Sequence, residues 1–184
     1  DTLKLEKDFT YTETVEFTQQ NITLDLNGRT LTMDVELPEG GVISEVEAIL
    51  ISGGSLTITD SGENGTISFN DNRVTGINLS GTNPSLSVTG GTLKGSGMGA
   101  GPIGVRSASN AKTNISGGTI VGRISTDPSS AGTSLIISDK AVLTSDQYSS
   151  IIIYSEGRDT IQIKGGEIYS AADVAEEAGV IMLK

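Results

Sequence analysis

The chain has no cysteine, no histidine and no tryptophan, and its three phenylalanines and four tyrosines make up 4% of its 184 residues. The lack of cysteine excludes disulfides and thiol nucleophiles. Without histidine or cysteine, the chain also lacks the usual zinc ligands and the imidazole that most often acts as a general base. Any chemistry must therefore rest on carboxylates, lysine, arginine, tyrosine or hydroxyl groups.

Positive charge is scarce too. The 12 Lys and Arg residues face 23 Asp and Glu residues, which gives a formal net charge of -11 and a pI of about 4.3. Such a chain repels phosphate backbones and anionic lipid surfaces at long range. We therefore expect no nucleic-acid partner.

Long apolar runs are missing as well. None approaches the roughly 20 residues that a membrane-spanning helix needs, so we expect no membrane insertion. The first residues do not combine a basic start with an apolar stretch, which is the pattern of a signal peptide. Because Asp1 opens the sequence, we expect a trimmed or processed chain.

What the chain does contain is one short pattern repeated six times. Each unit has apolar residues on either side of one middle residue, then a turn of small residues and another apolar residue. The units are Leu24-Asp25-Leu26 to Leu31, Leu56-Thr57-Ile58 to Ile67, Leu86-Ser87-Val88 to Leu93, Thr113-Asn114-Ile115 to Ile120, Leu135-Ile136-Ile137 to Val142, and Ile161-Gln162-Ile163 to Ile168. A repeat of this size indicates a stacked solenoid, in which each unit gains a core by lying on its neighbour.

Two further signals define the solenoid. Glycine pairs occupy the turn at Gly90-Gly91, Gly117-Gly118 and Gly165-Gly166, where they favour a sharp corner between two strands. A third β-prone segment, such as 77–79 or 151–153, precedes each unit. The sequence therefore predicts one all-β domain over residues 1–184. Its fold would be a right-handed, single-stranded parallel β-helix of about six coils with three short strands per coil.

The same pattern predicts the register. Leu24, Leu56 and Leu86 should stack in one inward column, and Leu26, Ile58 and Val88 in a second. We expect residues 1–20 to form capping strands and residues 171–178 a short turn of helix. Residues 180–182 would begin an incomplete coil, so we expect a fragment of a longer chain that continues past Lys184.

Three segments carry a resemblance to a known family: residues 3–8 (LKLEKD), 21–32 (NITLDLNGRTLT) and 54–62 (GSLTITDSG). They resemble the repeats of pectate-lyase-like right-handed β-helix domains in large surface proteins of gut and oral bacteria. The resemblance implies an extracellular or cell-surface module, adhesin-like or structural and non-catalytic. Its partners would be host or microbial glycans or host surface proteins, and the isolated module would be a monomer.

The same fold also hosts polysaccharide lyases and glycoside hydrolases, which remain the alternative. A lyase of this kind uses Ca²⁺ held by several carboxylates, with Arg or Lys as the base, to act on an acidic polysaccharide. The predicted outward stripe is nearly uncharged, since Asp25 is the one carboxylate among Thr57, Ser87 and their equivalents. An acid and base pair on adjacent coils cannot be placed, so we favour the non-catalytic module and expect no cofactor.

A weak calcium site is the one metal hypothesis. Asp60 and Glu63 approach Asp71 if two loops fold together. The ordinary interpretation of this Asp-Ser-Gly-Glu-Asn run is an exposed turn.

Three arginines are the candidate ligand-binding residues. Arg106 and Arg123 fall in or beside the stripe of the strand that precedes each unit, on consecutive coils, and Arg73 precedes that stripe one coil earlier. Guanidinium groups bind carboxylates in a fork, so this patch could hold an acidic glycan. The alternative is that the arginines neutralise nearby Asp and Glu. Tyr148, Tyr154 and Tyr169 would form a sugar-stacking platform only if they converge from separate loops.

Overall fold

The computed structural model describes residues 1–36, 46–70, 74–95, 101–145, 151–153, 159–170 and 181–183. Within these ranges every regular element is a β-strand, and every strand pairing is parallel. They contain no helix that is long and apolar enough to cross a membrane. The predicted helix at 171–178 lies outside the described residues.

The strands form three sheets of seven. The first sheet contains β1 Thr2–Lys4, β4 Asn21–Asp25, β7 Ser55–Thr59, β10 Ser85–Val88, β13 Lys112–Ile115, β16 Ser134–Ile137 and β19 Thr160–Ile163. The second sheet contains β2 Phe9–Tyr11, β5 Thr30–Met33, β8 Thr66–Phe69, β11 Thr92–Gly95, β14 Thr119–Val121, β17 Val142–Ser145 and β20 Glu167–Ser170. The third sheet contains β3 Val15–Phe17, β6 Glu47–Ile51, β9 Thr75–Thr82, β12 Ile103–Ser109, β15 Ile124–Thr126, β18 Ile151–Ile153 and β21 Ile181–Leu183.

This arrangement confirms the predicted parallel β-helix. Consecutive strands lie in different sheets, and each strand pairs with the strands three places earlier and three places later, except that the strands of the first and last coils have one partner. One coil is therefore one strand from each sheet. The described strands make seven coils, because β1 to β3, within the segment expected to cap the solenoid, themselves pair in parallel with β4 to β6.

The core consists of stacked aliphatic columns. In the first sheet Leu56 pairs with Leu86 and Ile58 with Val88, and all four are at most 1% exposed. In the third sheet a second column is fully or almost fully buried: Ile49, Ile77, Ile103, Ile124 and Ile151. The inside of the solenoid is thus filled, and a ligand must bind on the outside.

The predicted register was wrong by two residues in the unit at 24–31. Ile22, and not Leu24, pairs with Leu56, and Leu24 pairs with Ile58. Leu26 instead lies in the following turn, where it is fully buried. A shift of two residues keeps the same face of a strand inward, so alternation alone cannot reveal it. Thr23, and not Asp25 as predicted, therefore lies at the outward position that pairs with Thr57.

The corner between the first and second sheets confirms the role predicted for glycine. Gly118 has φ +74, a left-handed conformation that side chains rarely adopt. A Cβ atom at this position would lie 2.4 Å from the carbonyl oxygen of Gly91 in the preceding coil. The corner thus needs glycine both for its backbone angle and for the close approach of two coils.

The first coil is only partly covered. Leu3 is 53% exposed and Phe9 is 47% exposed. The Phe9 ring stacks on Tyr11 with 6.2 Å between centroids, and Tyr11 itself packs against the hydrophobic core.

Candidate functional site: a polar groove on the third sheet

A groove of about 420 Å³ lies on the outer surface of the third sheet. Its size falls in the usual range of small-molecule sites. Residues from four consecutive coils line it: Glu47 and Leu50 from β6, Asn78 and Ser80 from β9, Arg106 and Ser107 from β12, and Asp127 directly after β15. In the register of the sheet, Leu50 pairs with Asn78 and Asn78 with Gly104. Gly104 has no side chain, which leaves room beside Asn78.

A β-bulge positions Arg106. Leu79 pairs with Val105 and Gly81 pairs with Ala108, so Ser80 faces two residues, Arg106 and Ser107. Ser107 has φ +52, which is uncommon for a residue with a side chain. Bulges of this kind redirect side chains and are frequent beside functional sites. Here the bulge places Arg106 and Ser107 in the groove.

The turn of the next coil holds this bulge in place. The Ser129 hydroxyl accepts a hydrogen bond from the Ser107 amide at 3.0 Å, and the Asp127 carboxylate accepts from the Ser129 amide at 2.7 Å and from its hydroxyl. The Ser130 amide donates a hydrogen bond to the Asp127 carbonyl oxygen at 2.9 Å, and this bond closes a tight turn. Its hydroxyl bridges the Ala108 amide and the Val105 carbonyl. Side chains thus join the two coils at the point where the strand ladder is interrupted, and they fix Asp127 beside Arg106.

Asn78 is the most buried polar residue of the groove, with 3% of its surface exposed. Its Nδ2 donates a hydrogen bond to Glu47 Oε1 at 2.9 Å. Its Oδ1 is buried and has no hydrogen-bond partner in the protein. Buried polar atoms are nearly always hydrogen-bonded, so this oxygen marks a place where a donor from outside the chain would be stabilising.

Arg106 lies among charges of both signs. Its partial burial lowers the pKa of the guanidinium, the carboxylates of Asp127 and Glu47 raise it, and the charge of Arg123 lowers it. Burial has the largest effect of these. In the part of the groove that the structure describes, one cation therefore lies between two carboxylates, on a chain that is acidic overall.

The other predicted binding residues have different positions. Arg123 precedes β15 and is close enough to influence Arg106, but it is not one of the residues that line the groove. Arg73 lies outside the described residues. Tyr169 is in β20 of the second sheet, 52% exposed, where it donates to Glu167. Tyr148 and Tyr154 lie outside the described residues, so the predicted aromatic platform stays a prediction.

The residues proposed for calcium differ in their surroundings. Both oxygens of Asp60 accept backbone hydrogen bonds, Oδ1 from Gly28 at 2.7 Å and Gly62 at 3.3 Å, and Oδ2 from Gly65 at 2.7 Å. Glu63 is exposed in the same turn, and Asp71 lies outside the described residues. In the described ranges, no three acidic residues cluster closely enough to hold a metal ion. Asp60 organises the turn through backbone amides.

The two carboxylates of the groove are far apart. Glu47 belongs to β6 and Asp127 follows β15, which lies three coils away. Inter-strand spacing alone separates their backbones by roughly 14 Å, and their offset along the strands adds to this. The acid and base of glycosidases are roughly 5 to 9.5 Å apart. The backbones of Glu47 and Asp127 are thus further apart than the carboxyl groups of a glycosidase.

Sequence analysis singled out Arg106 but missed Glu47, Asn78 and Ser80. Asn78 carried a signal, because it interrupts the apolar segment Ile77-Asn78-Leu79. Comparison with family models, with curated proteins and with solved structures found no match to this chain.

Proposed function

We propose that this β-helix is a non-catalytic module of a bacterial cell surface that binds carbohydrate in the groove on the third sheet. The observation that carries the proposal is the buried, unsatisfied Asn78 Oδ1 in a groove that also presents Arg106 and Ser80. Sugar sites are built from such fixed polar side chains, which form hydrogen bonds with ring hydroxyls. The resemblance described above supports the extracellular location and a glycan of host or microbial origin.

A polysaccharide lyase is the second candidate. One observation favours it: burial lowers the pKa of Arg106, which is the direction required of an arginine base. Against it stand the distance between Glu47 and Asp127 and the lack of a clustered metal site in the described part of the chain. Binding without turnover therefore fits the groove better.

The test measures binding and turnover together. Affinity electrophoresis in gels containing neutral and acidic polysaccharides should show retardation that is reduced by Arg106→Ala. The matched control is Arg29→Ala, which removes the same charge from an exposed position outside the groove. Parallel incubations with and without Ca²⁺ should release neither unsaturated products nor new reducing ends. Either product would establish the enzyme instead.

A further inference from the structure

We infer that the ligand of the groove is a neutral, hydroxyl-rich stretch of glycan, and that Asn78 is its central contact. This inference rests on the proposed function and names its ligand class. It departs from the acidic glycan expected at Arg106 from the sequence, because the sequence did not show which residues surround that arginine.

Charge is the first argument. Among the described residues that line the groove, the ionisable side chains are Arg106, Glu47 and Asp127, and their formal charges sum to one negative charge. The chain as a whole carries -11. A carboxylate on the ligand would enter a negative environment, in which Arg106 is already attracted by two protein carboxylates. An uncharged ligand meets no such repulsion.

Hydrogen-bond chemistry is the second argument. Asn78 Oδ1 can only accept, and its Nδ2 already donates to Glu47 Oε1 at 2.9 Å. The group that satisfies Oδ1 must therefore carry a proton. An ionised uronate carboxylate has none to donate, whereas every sugar hydroxyl has one. An ammonium group also has protons, but it has no lone pair to accept a hydrogen bond from Arg106, whereas a hydroxyl group can both donate and accept. The hydroxyl group is the donor that suits both Asn78 and Arg106.

Shape is the third argument. The lining residues come from four consecutive coils, so the groove extends roughly 14 Å along the solenoid axis. Leu50 supplies an apolar surface beside Asn78, against which the C–H face of a sugar ring can pack. Such a length suits a chain of several sugars better than a single sugar.

The experiment compares ligands that differ only in charge. An array of neutral, acidic and amino glycans gives the first survey. Polygalacturonate oligosaccharides and their carboxyl-reduced forms, titrated by calorimetry, then provide a pair with the same ring and linkage. We expect binding to neutral glycans, with the carboxyl-reduced form bound at least as well as the acid. The dissociation constant for a neutral ligand should not change between low and high ionic strength.

Variants assign the binding to the groove. Asn78→Ala should weaken neutral-glycan binding roughly tenfold, the effect of one hydrogen bond in a buried site. Asn114→Ala is the matched control, because Asn114 is exposed on the first sheet and should bind as wild type does. Ser80→Ala removes a hydroxyl from the rim of the groove. It should weaken binding a few-fold, and it decides the question if Asn78→Ala does not fold.

Three outcomes would overturn the inference. If only acidic or amino glycans bind, the inferred neutral ligand is wrong, but the proposed carbohydrate-binding function stands. If the folded variants Asn78→Ala and Ser80→Ala bind neutral glycans as wild type does, the groove is not the binding site. Absence of binding to any glycan on the array removes the proposed function and the inference together.

Discussion

Asp60 Oδ1 accepts a hydrogen bond from the Gly28 amide at 2.7 Å, across 32 positions of the sequence. The same carboxylate accepts from Gly65 in its own turn, again at 2.7 Å. The turn at 60–65 is the longest described corner between the first and second sheets, and the turn at 26–29 is the same corner of the preceding coil. One side chain therefore fixes the stacking of two irregular corners that no strand ladder holds.

Replacing this carboxylate should be costly. Asp60→Ala leaves the amides of Gly28 and Gly65 without their acceptor, and we expect a loss of about 3 kcal/mol in the free energy of unfolding. Urea denaturation followed by circular dichroism measures it. Glu63→Gln, in the exposed part of the same turn, is the control and should lie within about 0.5 kcal/mol of wild type. Equal stability of the two variants would contradict the role given to Asp60.

Ionisation of Asp25 should make the free energy of unfolding depend on pH in the acid range. The amide and hydroxyl of Ser61 lower its pKa most, helped by the amide of Asn27 and the charge of Lys4, while burial acts in the opposite direction. A pKa that is lower in the folded state contributes stability above the unfolded value of about 3.9, and that stability is lost as pH falls through the folded pKa. Asp25→Asn should therefore be less stable at neutral pH by about 1–2 kcal/mol and lose less in acid.

The measurement for Asp25 is the urea midpoint of wild type and Asp25→Asn across the acid range. The two curves should converge as the pH falls. Curves that stay parallel from neutral to acid pH would show that the Asp25 charge does not stabilise the fold.

Gly118 should not tolerate a side chain. Gly118→Ala introduces a Cβ 2.4 Å from the Gly91 carbonyl oxygen at a residue with φ +74, so we expect a loss of at least about 2 kcal/mol. Gly90→Ala is the matched control, because its nearest contact would be 3.1 Å and its φ is not in the left-handed region. Thermal melts should show the larger decrease for Gly118→Ala, and the reverse order would contradict the account of the corner.

One substitution should unfold the domain. Val88 is fully buried in an aliphatic column, and Val88→Asp places an unpaired charge there at a cost of more than about 4 kcal/mol. Ser87→Asp adds the same charge one residue earlier on the outward, half-buried face, and it should remain folded. Circular dichroism and size-exclusion chromatography distinguish the two. A folded Val88→Asp would require a different register.

The strand register was largely predictable because side chains alternate with period two. Columns such as Leu56 over Leu86 follow directly from this alternation. The error at Leu26 has the same origin, since a shift of two residues preserves the alternation. What the pattern does not contain is the length of a turn, which depends on packing such as the contact of Asp60 with Gly28.

The groove was less predictable than the fold. Arg106 could be placed because it follows a clear strand, but its setting depends on a bulge at Ser107. Serine is not a residue type that marks a left-handed backbone, as glycine and asparagine do. Glu47 and Asn78 are 31 positions apart, and they meet only because coils stack. Contacts of this kind depend on the coil lengths between them, which vary from unit to unit.

The hydrogen bonds of Asp60 also bear on chemical ageing. Asn27-Gly28 and Asn64-Gly65 are sequences of the kind that deamidate readily, because the glycine nitrogen attacks the asparagine side chain to form a succinimide. Both of those nitrogens, on Gly28 and on Gly65, donate their protons to Asp60 at 2.7 Å. The attack requires each nitrogen to lose the proton that it donates, and the negative charge of Asp60 disfavours the resulting anion. We therefore expect this one carboxylate to slow the conversion of both asparagines to isoaspartate, which would lengthen the backbone at a corner.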